Sequence, residues 1–212
     1  MYVFWTVWIC PDTVARVDTD QRSDVVRNRA RLLSAARRMF AEFGPDVPFD
    51  RIAADAGLSR TTLHRHFANR DELAAVLFQE NVADIEAAAA RASASPDGLS
   101  DLFHFTLQLQ LGVPGFARIL SRSDVGGFSS LAERVAAAFS ACLPGAERSG
   151  LLHPGVGVED ILIAFPMADA AVIEDRIAGR PDRSDRLHGL LHRALFATAE
   201  PERCCEPGGR GD

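Results

Sequence analysis

The chain of 212 residues contains no lysine, and all 23 of its basic residues are arginine. That usage reflects the coding of a GC-rich genome and carries no function. Tyrosine occurs once and alternating apolar–polar stretches are scarce, which excludes a sheet protein. Four cysteines (Cys10, Cys142, Cys204, Cys205) show no paired spacing. They exclude a disulfide framework and a metal ribbon, and they fit a reducing cytoplasm. The apolar start from Met1 to Ile9 lacks both the basic flank and the cleavage site of a secretion signal, and it is too short to span a bilayer. No other apolar run is longer, so no membrane association is expected. A phosphate loop and a Gly-x-Ser-x-Gly elbow are both missing, and Asp97, Asp101 and His104 surround an ordinary helix start. No enzyme and no cofactor is implied.

What is present is helical. Hydrophobic residues make up 47% of the chain, enough for a proper core, and the long runs are rich in Ala, Leu and Arg. The net charge of −6 is unevenly spread. Residues 27–70 carry nine arginines against four acids, a net of +5, and the remainder carries fourteen against twenty-five, a net of −11. A basic block on an acidic body is the pattern of a DNA-contacting domain joined to one that makes no such contact.

Residues 1–24 show an apolar tip and then no usable period. They are expected to be a disordered extension, either a flexible arm or a stretch upstream of a true start at Val14, Val17 or Val25. From Val25 a helix is expected, with Leu32, Leu33, Ala36, Met39, Phe40 and Phe43 repeating at three and four until Gly44-Pro45 stops it. Two short helices follow between Phe49 and Phe67. Ile52, Ala53 and Ala56 form the inward face of the first, and Gly57 suits its left-handed end. Ser59 can cap the second, whose Leu63 and Phe67 point inward. Arg60, Thr61, His64 and Arg65 are left facing outward. A short helix with that front suits the major groove of DNA, where arginine donates two bonds to guanine. Asn69 and Glu72 have the form of a capping box opening a long helix to about Arg91, followed by a linker, Ser93–Gly98.

Two helices, Ala-Gly-Leu-Ser, then Arg-Thr-Thr-Leu-His-Arg-His-Phe and Asn-Arg-Asp-Glu-Leu closely resemble the DNA-binding domain of TetR-type (tetracycline-repressor family) transcriptional regulators. The resemblance runs from about Arg27 to about Leu77. One position departs from it: the family usually has a tyrosine, commonly on a phosphate, where His64 stands. The resemblance implies an all-α protein of about nine helices. A three-helix helix-turn-helix domain (25–70) would precede a helical effector-binding and dimerisation domain (71–200), with a disordered tail (201–212). It also implies a cytoplasmic bacterial homodimer that binds double-stranded operator DNA and is released by a small-molecule effector. The DNA contacts would come from Arg27, Arg29, Arg60, Thr61, Thr62, His64, Arg65, His66 and Arg70.

Beyond residue 98 the periodicity predicts helices over Ser100–Leu111, Phe116–Ser121, Phe128–Leu143 (ended by Pro144-Gly145), Val158–Ile177 and Arg183–Ala199. In the family the last two pack against a second subunit, and Val158–Ile177 is apolar nearly all round, as an interface helix would be. Phe103, Leu107, Phe116, Phe128, Phe139 and Phe165 are the candidates for lining an effector pocket. That assignment rests on the resemblance, since phenylalanines are more often plain core. His188 and His192 are spaced to share a metal but have no third ligand nearby in sequence, so no metal is expected. The alternative to a regulator is a helical receptor or interaction protein whose helix-turn-helix no longer reads DNA.

Overall fold

The computed structural model describes residues 11–44, 46–115 and 127–197, with side chains from residue 23 onward. The chain divides into two compact units between Leu73 and Ala74. The first holds α1 (Pro11–Phe43), α2 (Phe49–Asp55), α3 (Arg60–His66) and the opening of α4 (Arg70–Ala92). Among the described residues the second adds α5 (Gly98–Gly112), α6 (Phe128–Ser149), α7 (Val158–Ile177) and α8 (Ser184–Leu195) to the rest of α4. The protein is all-α. Its one β feature among the described residues is an isolated antiparallel bridge between Leu152 and Phe196. The expected helix Phe116–Ser121 and the tail 201–212 lie outside the described residues.

Three boundaries differ from the sequence reading. α1 begins at Pro11, so residues 11–24, expected to lack a helical period, are helical. Their sequence is mostly polar and shows no sustained apolar repeat, but no glycine or proline interrupts it between Thr13 and Phe43. Extending an existing helix costs far less than nucleating one, and Pro11 suits the first turn. α6 runs through Pro144 to Ser149 and ends on Gly150, whose φ of 67° is left-handed. A proline removes one helical bond, and buried Ala146 keeps the following turn on the core. α8 stops at Leu195, where the backbone of Phe196 becomes extended and pairs with Leu152.

In the first unit Leu32, Phe40, Ile52, Leu63 and Phe67 are buried and hold α1, α2 and α3 together. The core of the second unit gathers Leu99, Leu102, Phe103, Leu107, Phe139, Ile161, Phe165 and Phe196 from α5, α6, α7 and the strand-like end of α8. Each such side chain contributes about 1.5–3 kcal/mol on leaving water.

Candidate nucleic-acid interface

The turn between α2 and α3 is built by backbone chemistry. Leu58 N–H donates to the Ala53 carbonyl (2.9 Å) and Gly57 N–H to that of Ala54 (3.0 Å), the paired bonds of a Schellman end. Gly57 sits at φ 63°, and a Cβ there would stand 2.9 Å from Arg31 Nη2. That guanidinium reaches over from α1 and donates to the carbonyls of Ala56 (2.7 Å) and Gly57 (3.3 Å). Arg38, also on α1, pairs with Asp55 at 2.7 Å. The α2 terminus is thus pinned by two arginines. Ser59 then caps α3, its Oγ accepting from Thr62 N–H (3.1 Å).

α3 turns Leu63 into the core and leaves Thr61, His64 and Arg65 exposed. Arg60 is exposed as well, and its Nη1 lies 3.0 Å from Asp50 Oδ2 on α2. The Thr62 hydroxyl lies 2.9 Å from Ser59 Oγ, so this expected DNA contact belongs to the cap of α3. His64 meets the edge of Phe49, ring centres 5.2 Å apart. His66 is half-buried, and its pKa lies below the usual value because of burial, with Arg65 and Arg29 adding repulsion. Its Nε2 and the Nε of Arg70 are enclosed without a hydrogen-bond partner. Arg70 stands 3.8 Å from exposed Asp46. Arg29 lies over the Phe67 ring at 4.6 Å, and Arg27 lies 3.2 Å from Asp24. The start of α4 is capped by Asn69, whose Oδ1 accepts from Glu72 N–H (2.9 Å), while Glu72 accepts from Ala68 N–H (2.6 Å).

The second unit contains a cavity of about 470 Å³. Its walls come from α4 (Phe78, Asn81, Ile85), α5 (Thr106, Leu109, Gln110), α6 (Ala132, Val135) and α7 (Leu162, Phe165, Pro166, Asp169), with Val113 between. Of the six residues expected to line a pocket, Phe165 does so. Phe128 packs on the cavity-lining Phe78, ring centres 5.6 Å apart. Phe103, Leu107 and Phe139 are instead fully buried core, and Phe116 lies outside the described residues. The reason is geometric: these three point into the close-packed centre of α5, α6 and α7, whereas the cavity opens on the faces turned towards α4. The signal that was missed is polar. Thr106 and Gln110 stand one helical turn apart on α5 and share one face.

Sequence spacing exposed His188 and His192 but not their third neighbour. His104 on α5 lies between them, its Nδ1 2.5 Å from His188 Nε2 and its Nε2 2.9 Å from His192 Nδ1. Each contact uses a different nitrogen of His104, so the three rings form a chain instead of converging on one point. Among the described residues no group of three or more His, Cys, Asp or Glu is arranged to hold a metal ion.

The first unit thus carries a tight helix–turn–helix pinned by arginines, and the second unit has a cavity of its own. Residues 32–77 match the family of bacterial regulatory proteins described as the tetR family. An HTH-type transcriptional regulator of Staphylococcus aureus is 32% identical over 62 residues, which cover 29% of this chain and 34% of the relative. The match thus spans about a third of the length of that relative. Among solved structures, a TetR transcription regulatory protein from Mycobacterium vanbaalenii is 24% identical with a TM-score of 0.54, over 83% of this chain and 99% of that one. LfrR from Mycobacterium smegmatis, in complex with proflavine, is 21% identical with a TM-score of 0.53, over 81% and 98%. A gamma-butyrolactone receptor is 20% identical with a TM-score of 0.57, over 82% and 90%. The fold is therefore that of TetR-type transcription regulators. Among the described residues no helix is long and apolar enough to cross a membrane.

Proposed function

We propose that the chain is a transcriptional regulator that binds operator DNA as a homodimer and is released by a small molecule held in the second unit. The observation that carries this reading is α3: an apolar back of Leu63 against Phe67, and a front where Arg60, Thr61, His64 and Arg65 are exposed side by side. A helix of that shape and charge enters a major groove, with Arg60 and Arg65 on base edges. His66 and Arg70 lie at the end of α3 and the start of α4, where flanking phosphates would supply acceptors for their enclosed nitrogens.

Dimerisation through α7 and α8 is supported by their exposed apolar side chains. Ile163 (57%), Met167 (58%) and Leu190 (57%) all face solvent in the single chain. The cavity is of the size and apolar character of ligand sites. The comparisons add that similar folds include one solved with proflavine and one named as a gamma-butyrolactone receptor. Effector and operator would oppose each other through a coupling of about 1–3 kcal/mol, and linkage makes the effect reciprocal. The test is to measure the affinity of a bound effector with and without operator DNA. Equal affinities would leave a DNA-binding protein without a ligand switch.

A further inference from the structure

Thr106 is 6% exposed and its hydroxyl has no hydrogen-bond partner, yet it lines the cavity. A buried hydroxyl left unpaired costs about 1–3 kcal/mol, so it is found where something else supplies the bond. Across the cavity, α7 contains Pro166. Proline has no N–H, so the Leu162 carbonyl is without its ordinary helical donor four residues on.

These two groups stand at the same level. Gln110 Nε2 donates to the Phe165 carbonyl (2.9 Å), and Gly115 N–H donates to Asp169 (2.6 Å). Phe165 is also met by the Phe103 ring, centres 5.6 Å apart. Thr106, between Phe103 and Gln110 on α5, therefore comes level with the Leu162–Pro166 turn of α7. The remaining wall is apolar apart from Asn81, Gln110 and Asp169, and none of the described lining residues is basic.

We infer that the cavity takes a neutral, largely apolar molecule through one hydroxyl group, which accepts from the Thr106 hydroxyl and donates to the Leu162 carbonyl. Among the described lining residues a carboxylate or phosphate finds no counter-charge, and burying an unpaired anion is strongly unfavourable. The inference rests on the effector-site reading of the same cavity, and it deepens that reading by naming the chemistry of the ligand.

Calorimetric titration of the full chain with α-naphthol, its methyl ether, naphthalene and α-naphthoate tests it. The alcohol offers donor and acceptor, the ether an acceptor alone, the hydrocarbon neither, and the acid a charge. Affinity is expected to fall in that order, by about threefold to tenfold for each hydrogen bond removed. Thr106→Val should weaken α-naphthol by one such step and bring its methyl ether down to naphthalene while leaving naphthalene unchanged, and Thr106→Ser should restore the difference. An equal loss for all probes in Thr106→Val, tighter binding of the acid than of the alcohol, or no binding by any probe overturns the inference. Binding of α-naphthol through Thr106 that leaves DNA affinity unaltered upholds the site and removes its role as an effector site.

Discussion

Arg60, the first residue of α3, is held by Asp50 of α2, with Nη1 and Oδ2 3.0 Å apart. The residue proposed to reach a guanine is therefore engaged within its own unit when no DNA is bound. Both side chains are more than half exposed, so the pair contributes at most about 1 kcal/mol. Asp50→Asn should leave folding stability nearly unchanged and tighten operator binding by up to about fivefold at low salt. Arg60→Ala should cost about 1–3 kcal/mol of binding and relax preference at one base pair of each half-site. Affinities measured on single-base operator variants separate this from a phosphate contact, whose loss would be uniform.

His66 gives a pH signature of definite sign. Burial and the arginines Arg65 and Arg29 hold its folded-state pKa below 6.5, so the unfolded chain takes up the proton first. Its contribution to stability is therefore intact above pH 6.5 and declines as the pH falls through the folded-state value. The proposed operator phosphate beside His66 would reverse the balance, because an adjacent anion favours the charged ring. Operator binding should then tighten from pH 8 to pH 6 and take up a proton, while the free protein loses stability at the acid end of that range. Denaturation and DNA binding of His66→Gln, followed over the same range, should show both trends flattened.

Asp175, at the end of α7, accepts from Arg180 (2.7 Å) and from Arg183 Nε (2.9 Å) and Nη2. These arginines, Arg183 foremost, lower its pKa from 3.8 to about 2. A lowered carboxylate pKa stabilises the fold above pH 4, and that contribution is lost progressively down to about pH 2. Arg183→Ala should remove much of this acid dependence and loosen the connection from α7 to α8. Thermal unfolding between pH 2 and pH 6 reads the difference.

The exposed side chains of α7 make the proposed dimer testable without touching the core. Ile163→Glu combined with Met167→Glu should keep helical content and yield a monomer by sedimentation. Because both residues are more than half exposed, the variant should fold. Operator affinity should fall steeply, since a single reading helix then meets a single half-site.

The first unit was legible because its signals are local. Gly57 at the turn, Ser59 at the cap and the Leu63–Phe67 spacing each act within a few residues, and the structure realises each at the expected position. The partners that hold the unit together were not legible. Arg31 and Arg38 counted in the sequence only as part of the basic block, but they bind the end of α2 across twenty-five and seventeen positions. The cavity was misjudged for a related reason. Phe103, Leu107 and Phe139 carry the same apolar signal whether a space is filled or left open, and only the packing of four helices decides which. His104 beside His188 and His192 is likewise a consequence of how α5 meets α8, and no spacing rule spans that distance.

The central claim is that α3 reads DNA. Selection from a random pool of double-stranded oligonucleotides tests it most directly, followed by titration of the selected sequence at two salt concentrations. The account predicts an inverted repeat whose half-sites are about one helical turn apart, and affinity that falls steeply with salt. It further predicts that Arg60→Ala loses preference at one symmetric pair of positions. A pool that remains random after selection, with weak binding indifferent to salt, would contradict the account.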